Sequence, residues 1–140
     1  MQDKAALDSS IIAAIFFKED ASEKAQKIVR EYNELITLDL AIAELANVAW
    51  KRVIHFNEQE AITKKALNAG IDFITNACSV ITHTELIQDA FEIALADKIT
   101  VYDSLFIAAS EREKAPLLTL DEALYNKRGK KRNVILIAES

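Results

Sequence analysis

Residues 5–17 have the sequence AALDSSIIAAIFF, and this stretch decides the fold. Three apolar residues suited to a buried strand end at Asp8, and an apolar run at helical spacing begins just after it. In α/β proteins, ligands bind outside the carboxyl ends of parallel strands, where strands pass into helices. The stretch therefore predicts that Asp8 lies at such an edge, although Asp is also a preferred N-cap residue.

The same alternation of strand and helix patterns continues to the end of the chain. Short apolar runs predict five strands, at residues 5–7, 35–38, 79–81, 116–120 and 134–138. Amphipathic segments predict helices at residues 10–17, 21–32, 40–55, 59–75, 84–96, 102–114 and 122–127. We therefore expect a single α/β domain over residues 1–140, with a central parallel sheet of about five strands flanked by helices on both faces.

Length and composition exclude several classes of protein. With 140 residues, 51% of them hydrophobic and 28% charged, the chain matches one globular domain with a substantial core. Its longest strongly apolar run, residues 11–17, is far shorter than the roughly 18 residues of a membrane span. We expect neither a secretory signal nor membrane association. The single cysteine, Cys78, cannot form an internal disulfide, which fits a reducing, cytoplasmic compartment.

The charge of the chain is unevenly distributed. A net charge of −5 would repel nucleic acid, yet residues 127–132 hold five of the 17 basic residues. These are Lys127, Arg128, Lys130, Lys131 and Arg132. The run is either an ordinary solvated loop or an electrostatic guide for a nucleic-acid backbone. Only two glycines are present, too few for a Gly-rich phosphate loop, which excludes P-loop and dinucleotide-binding folds.

Four acids stand in apolar sequence near predicted strand ends and helix starts. They are Asp8, Glu44, Asp103 and Asp121. Each has an ordinary alternative role, because three of them could cap helices and Glu44 could be exposed at a helix edge. Capping alone does not require the acids to converge, whereas the edge of a parallel sheet would bring them into one crevice. Clustered carboxylates repel one another, and their oxygens suit Mg²⁺ or Mn²⁺ rather than Zn²⁺.

Local signals assign capping roles to other polar residues. Asp39 follows the second predicted strand and is expected to cap the next helix, pointing about 140° away from Glu44 around the helix axis. Thr82, Thr100 and Thr119 each begin a predicted capping box.

The remaining chemically active side chains are given ordinary roles. Asp72 and Asp97 flank apolar stretches away from helix starts, so we expect them to be exposed. His55 and His83 have no metal-ligand spacing and are expected to be surface or hydrogen-bonded histidines. Cys78 lies beside the weakest predicted strand and is expected to be a core residue rather than a nucleophile.

Four short segments form a recognisable pattern when they are taken together. They are Leu7-Asp8-Ser9-Ser10, Ala43-Glu44-Leu45-Ala46-Asn47-Val48, Val101-Tyr102-Asp103-Ser104-Leu105-Phe106-Ile107-Ala108 and Leu118-Thr119-Leu120-Asp121. In this order and on these predicted elements, the chain resembles the PIN-domain ribonucleases. The resemblance is closest to the toxin of VapBC toxin–antitoxin systems and spans nearly the whole chain.

The resemblance implies a function and a set of site residues. It implies a metal-dependent endoribonuclease that hydrolyses RNA phosphodiester bonds with metal-activated water. The residues it implies to be catalytic and to bind Mg²⁺ or Mn²⁺ are Asp8, Glu44, Asp103 and Asp121. Those it implies in supporting roles are Ser9, Ser10, Asn47 and Thr119. The implied partners are an RNA substrate, a cognate antitoxin protein and a second copy in a homodimer.

Three other functions were compared with this pattern. A receiver-like domain would have paired acids after its first strand, where Asp8 is instead followed by Ser9 and Ser10. A haloacid-type phosphatase would have a second Asp at the position of Ser10. A PIN-like module that binds a protein, with weak or no nuclease activity, stays open because large apolar residues could form an interface as readily as a core. Those residues are Phe16, Phe17, Trp50, Phe56 and Phe91.

Overall fold

The computed structural model describes residues 2–129 and 132–137, with only the backbone of Gln2. Within these ranges five strands alternate with seven α-helices, and a 3₁₀ turn, His83–Glu85, precedes the fifth helix. In chain order they are β1 (Gln2–Leu7), α1 (Ser9–Phe16), α2 (Ser22–Val29), β2 (Tyr32–Leu38), α3 (Leu40–Ile54), α4 (Glu60–Ala77), β3 (Ser79–Ile81), α5 (Ile87–Asp97), α6 (Val101–Glu113), β4 (Leu117–Thr119), α7 (Glu122–Lys127) and β5 (Val134–Leu136). The last predicted strand extends to Ala138, which lies outside the described residues.

The strands form one parallel sheet in the order β3-β2-β1-β4-β5. Ala6 of β1 pairs with Ile36 on one side and with Leu117 on the other. Successive strand residues point to opposite faces of a sheet, yet Ala5, Ala6 and Leu7 are all at most 1% exposed. The central strand is therefore covered on both faces, as parallel sheets require. The predicted fold class is confirmed.

The strand order places a crevice at one edge of the sheet. From β1 the chain builds outward through β2 and β3, and later returns to β4 on the other side of β1. A reversal of this kind separates the carboxyl ends of the two central strands, and ligands of open α/β sheets bind there. Asp8 directly follows β1, and Asp121 lies two residues after β4.

Two groups of helices pack on the sheet. α1 contacts β1 and β4 and is backed by α3 and α4, whereas α6 contacts β1 and β2 and is backed by α5. All residues of α6 from Ser104 to Ser110 are buried, so this helix is enclosed on every side. Asp103 in its first turn is thus carried by a firmly held element. Among the described residues, no helix has the length and apolar character needed to cross a bilayer.

Of the three predicted capping boxes, the structure confirms the cap at one. Thr100 accepts the backbone N–H of Asp103 at 3.2 Å and caps α6. Thr82 makes no cap hydrogen bond with the residues described, because the chain first forms a 3₁₀ turn and α5 begins later than predicted. Thr119 is not a cap either, because α7 begins at Glu122 as predicted and is capped by the adjacent Asp121.

Gly70 determines how closely α4 approaches α3. A Cβ atom at this position would lie 2.4 Å from Cδ2 of Leu45, which is fully buried beside Glu44 in sequence. Glycine in a helix interior costs about 1 kcal/mol relative to alanine. The close contact explains why the smallest residue is suited to this buried helical position.

We expect Gly70→Ala to lower the free energy of unfolding by roughly 1–3 kcal/mol, because overpacking of a closed core outweighs the gain in helix propensity. Urea denaturation followed by circular dichroism measures the change. Asn68→Ala is the matched control, since Asn68 is exposed on the same helix and its replacement meets no clash. Equal stability of Gly70→Ala and Asn68→Ala would contradict the packing role of the glycine.

Candidate active site

Asp8 is the buried centre of the candidate site. Its carboxyl caps α1 by accepting the N–H groups of Ser10 at 3.0 Å and Ile11 at 3.3 Å. Its other oxygen accepts the hydroxyl of Thr119 at the end of β4. Burial raises the pKa of Asp8 from 3.8 to about 6, although these hydrogen bonds lower it. The predicted cap is therefore present, and it also connects the two central strands.

Two hydroxyl groups link the ends of β1 and β4. The Oγ of Ser10 donates to Asp8 and accepts the N–H of Leu120 at 2.9 Å. The Oγ1 of Thr119 likewise donates to Asp8 and accepts the N–H of Asp121 at 3.0 Å. Each hydroxyl thus holds the carboxylate of Asp8 with its hydrogen and the segment carrying Asp121 with its oxygen.

Glu44 enters the site from α3. It is half-buried, and its Oε1 accepts the hydroxyl of Ser9 at 2.6 Å. Burial raises the pKa of Glu44, the hydrogen bond from Ser9 lowers it, and the negative charge of Asp103 raises it. Glu44 is therefore not an exposed residue at a helix edge. Two acids that are 59 positions apart in sequence act on each other through space.

Asp103 and Asp121 complete the acidic cluster. Burial raises the pKa of Asp103, the charge of Asp121 raises it further, and a hydrogen bond with Thr100 lowers it. Asp121 is exposed, and its carboxylate accepts the N–H of Leu124 at 3.0 Å as the cap of α7. The capping roles and the convergence of the acids therefore coexist, because caps of neighbouring helices open onto the same crevice.

In the part of the chain that the structure describes, the acids of this crevice lack a positively charged partner. Burial and neighbouring acids raise the pKa values of Asp8, Glu44 and Asp103, and no Lys or Arg among the described residues lowers them. Oxygen donors of this kind fit a hard divalent cation. Within residues 2–129 and 132–137, no three His, Cys, Asp or Glu side chains are grouped closely enough to hold a metal ion. The donors are present but are not gathered into a coordination shell.

A cleft of about 400 Å³ opens beside Glu44. Its lining residues come from the start of α1 and the first half of α3, and they are Ser9, Ser10, Ala43, Glu44, Asn47 and Val48. Asn47 is exposed one turn after Glu44. Its side chain makes no hydrogen bond with the residues that the structure describes. Asn47 therefore lines the cleft without holding any of the described acidic side chains by a hydrogen bond.

Arg132, at the end of the basic run, is tied into the fold. Its Nε lies 3.1 Å from Oδ2 of Asp97, and its Nη1 lies 2.9 Å from Oε2 of Glu111. Asp97 also accepts the N–H of Gly129 at 2.9 Å. The expectation that Asp97 is exposed is wrong, because these donors leave its side chain only 7% exposed.

The other basic residues of the run differ in their environment. Arg128 stacks over the ring of Tyr125, 3.5 Å from its centroid, and donates to the carbonyl of the same residue. Lys127 is exposed. Lys130 and Lys131 lie outside the described residues. The role of the basic run as an electrostatic guide for RNA stays a prediction. Of the three lysines in the run, the structure describes only Lys127.

Most of the side chains that were given ordinary roles have them, and Asp97 and Asp39 are the exceptions. Asp39 does not cap α3 but accepts the backbone N–H of His83 at 2.9 Å, and the His83 ring lies 3.1 Å from the same oxygen. Burial tends to raise the pKa of Asp39, but the bonds from His83 outweigh it and lower the pKa. His55 and Asp72 are exposed. Burial raises the pKa of Cys78 to about 12, so its thiol stays protonated at neutral pH.

Comparison with known proteins identifies the family. The PIN domain model matches residues 5–130 of the chain. The chain belongs to the PIN-domain family. It is 38% identical over 124 residues to Ribonuclease VapC3 of Pyrobaculum aerophilum, which covers 89% of this chain and 94% of that protein.

Solved structures share the same fold. A protein of Pyrobaculum aerophilum known from its crystal structure superposes with a TM-score of 0.71 and 20% identity, covering 94% of this chain and 82% of that one. A toxin–antitoxin complex from Klebsiella pneumoniae contains a chain with a TM-score of 0.65 and 15% identity, covering 97% of this chain and 99% of that one. At these identities the likeness establishes the PIN fold alone.

We expect the metal-free protein to lose stability as the pH rises from about 4 to 6. The pKa of Asp8 is about 6 in the folded chain, against an ordinary value of 3.8 in the unfolded chain, so the folded state binds more protons across this interval. The loss, complete above the folded pKa, is up to about 3 kcal/mol. Urea unfolding in EDTA measures it.

Asp8→Asn should remove most of this pH dependence and be more stable than the wild-type protein at pH 7. Asp89→Asn, which replaces an exposed acid on α5, should keep the wild-type dependence. A pH dependence that Asp8→Asn leaves unchanged would show that Asp8 is not its source.

We expect Arg132→Ala to lower the free energy of unfolding by about 1–3 kcal/mol, because it leaves the carboxylate of Asp97 buried without its charged donor. Thermal and urea denaturation measure the effect. Lys127→Ala removes an exposed positive charge from the same segment and should leave stability unchanged. Equal effects of the two substitutions would argue against a structural role for Arg132.

Proposed function

We propose that this PIN-domain protein is a metal-dependent endoribonuclease, the toxin of a type II toxin–antitoxin pair. The observation that carries the proposal is the acidic crevice at the ends of β1 and β4, where the pKa values of Asp8, Glu44 and Asp103 are raised and no Lys or Arg among the described residues lowers them. Groups held at this electrostatic cost are typical of functional sites. The 38% identity to Ribonuclease VapC3 supports RNA as the substrate.

Four carboxylates would hold the cation, Mg²⁺ or Mn²⁺. They are Asp8, Glu44, Asp103 and Asp121. When bound, the cation supplies an activated water and stabilises negative charge on the phosphate and on the leaving oxygen. The rest of the chain orients these donors, since Ser10 and Thr119 hold both oxygens of Asp8 and Ser9 holds Oε1 of Glu44.

Cation binding would also offset the electrostatic cost of the clustered acids. Raised pKa values mean that ionised carboxylates are disfavoured in the folded chain, and a bound divalent charge favours ionisation. Binding therefore releases protons and stabilises the folded state in proportion to the occupancy of the site. The stabilisation offers a readout of cation binding that does not depend on catalysis.

The basic run supplies the attraction for RNA that the acidic body lacks. We assign this role to Lys127, Lys130 and Lys131, because Arg128 and Arg132 are held by contacts within the protein. Contacts to phosphate act without regard to sequence and weaken with salt. The run therefore contributes affinity and not the choice of RNA sequence.

We also propose that an antitoxin protein and a second copy of the chain bind to its surface. Large apolar side chains are exposed near the junction of α3 and α4, with Trp50 at 52%, Phe56 at 74% and Ile62 at 59%. Exposed apolar patches mark protein interfaces. The structural relative from Klebsiella pneumoniae is a toxin–antitoxin complex, which supports such a partner. These side chains equally suit the alternative of a binding module without nuclease activity.

A cleavage assay separates the nuclease from the binding module. We expect the purified protein to cut a defined panel of RNAs with Mg²⁺ or Mn²⁺ and not with EDTA. Asp8→Asn should reduce the rate by about 100-fold or more, because it weakens a cation ligand. Asp89→Asn, prepared identically, should cut like the wild-type protein.

The melting temperature provides the second readout. Mg²⁺ should raise it in the wild-type protein and in Asp89→Asn, and less in Asp8→Asn. Folded protein, free of any copurified inhibitor, that cuts no RNA with either metal would favour the binding module. Cleavage by Asp8→Asn at the wild-type rate would show that Asp8 is not a ligand of the catalytic cation.

A further inference from the structure

Glu44, Asn47 and Lys51 lie along one face of α3. On an α-helix, residues three and seven positions on fall within about 60° of the starting residue. The helical rise places Asn47 about 4.5 Å and Lys51 about 10.5 Å along the axis from Glu44. Asn47 and Lys51 are exposed, and neither side chain makes a hydrogen bond or ion pair with any described residue. The side chains of Asn47 and Lys51 are therefore available to bind a ligand, and they lie at increasing distances from Glu44 along α3.

The cleft beside this face has a distinct chemistry. Its volume of about 400 Å³ falls in the range of roughly 300–1,000 Å³ that is typical of small-ligand sites. Ser9, Ser10 and Glu44 line it, and Ala43 and Val48 give it apolar walls. Asn47 contributes an amide, which offers one donor group and one acceptor. Apolar walls with one amide and no lining Lys or Arg suit a flat, polar ring rather than a phosphate.

Lys51 is the basic residue of α3 that is available to a ligand. The adjacent Arg52 is held by Glu58 at 2.9 Å and by the carbonyl of Lys18 at 2.8 Å. Its guanidinium also lies 5.3 Å from the ring centroid of Phe17. Lys51 has no comparable contact in the described part of the chain. Lys51 does not line the cleft but lies about one turn beyond Asn47 on α3, where its positive charge is available to a ligand.

We propose that this cleft binds one nucleobase of single-stranded RNA next to the phosphate that is cut. Asn47 determines which base is accepted, and Lys51 contacts the neighbouring backbone phosphate. Sequence-specific recognition of RNA uses unstacked bases that are hydrogen-bonded through their edges. An asparagine amide forms paired hydrogen bonds to a base edge. The inference rests on the proposed function, since Glu44, which lines the cleft, is one of the cation ligands in that proposal.

The first test measures binding in EDTA, where no cleavage is expected. Fluorescence anisotropy gives the affinity for labelled RNA tetranucleotides of A, C, G or U. We expect the wild-type protein to distinguish among them by roughly 5- to 100-fold, the range expected of a paired base contact. Asn47→Ala should reduce the difference to about twofold. Asn47→Leu, which keeps the size of the side chain without its hydrogen bonds, should do the same.

Lys51→Ala should weaken all four complexes alike and lower the slope of log affinity against log salt by about one. Two substitutions serve as controls. Asn33→Ala removes an exposed amide at the start of β2, at the opposite edge of the sheet, and Lys65→Ala removes an exposed charge from α4. Both should bind like the wild-type protein.

The second test sequences the products of a randomised RNA cut in Mg²⁺. The wild-type protein should show a base preference beside the cut, and Asn47→Ala should cut with that preference flattened. An unchanged preference in Asn47→Ala, or no preference in the wild-type protein in either test, would overturn the proposal. If Asp8→Asn is inactive while Asn47→Ala keeps the wild-type preference, this inference alone fails. If the wild-type protein neither binds nor cuts RNA, the proposed function fails with it.

Discussion

The carboxylate of Asp8 between the ends of β1 and β4 is the interaction on which the site depends. It is 7% exposed, and its pKa of about 6 shows that burial outweighs four hydrogen bonds that favour the charged form. The same contacts join α1, β1 and the segment after β4, so the carboxylate also holds the crevice together. A neutral side chain would join these elements with less cost from burial. A buried acid held at such a cost is typical of a functional site.

The other acids are progressively less confined. Glu44 and Asp103 are half-buried on firmly packed helices, and Asp121 is exposed at the start of α7. A fixed carboxylate sets the position of the site, while the more exposed ones keep freedom to turn toward a ligand. This difference in exposure agrees with the finding that, among the described residues, the acidic side chains are not grouped closely enough to form a metal coordination shell. Under the proposed function, folding, protonation and cation binding would be coupled at this edge of the sheet.

The sequence predicted the elements well because the core is built from local patterns. Apolar runs identified all five strands, including the three-residue β3, which forms because Ser79 pairs with Ile36 of β2. The prediction began β1 at Ala5, whereas the strand begins at Gln2, since Lys4 pairs with Glu34 through the backbone and hydropathy does not show this.

The proximity of the acids could be predicted where the signal is local or carried by family motifs, whereas their role in binding a cation stays a prediction. The acids and hydroxyls lie together because strand ends of a parallel sheet share an edge. The partners of Asp39 and Asp97 were missed, since His83 and Arg132 are 44 and 35 positions away. A long-range polar pair leaves no periodic trace in a sequence. Asp39 therefore looked like a cap and Asp97 like a solvated acid.

Helix α3 would connect the proposed cation site to the proposed choice of substrate. Its position is set by the contact of Leu45 with Gly70 on one side, and it carries Glu44, Asn47 and Lys51 on another. Because these three residues share one rigid helix, the helical rise would fix the spacing between a phosphate held at the acids and a base bound beside Asn47. A loop in the same place would let that spacing vary. In this proposal the parallel sheet sets the place of the chemistry, and the helix that follows β2 sets which nucleotide is presented to it.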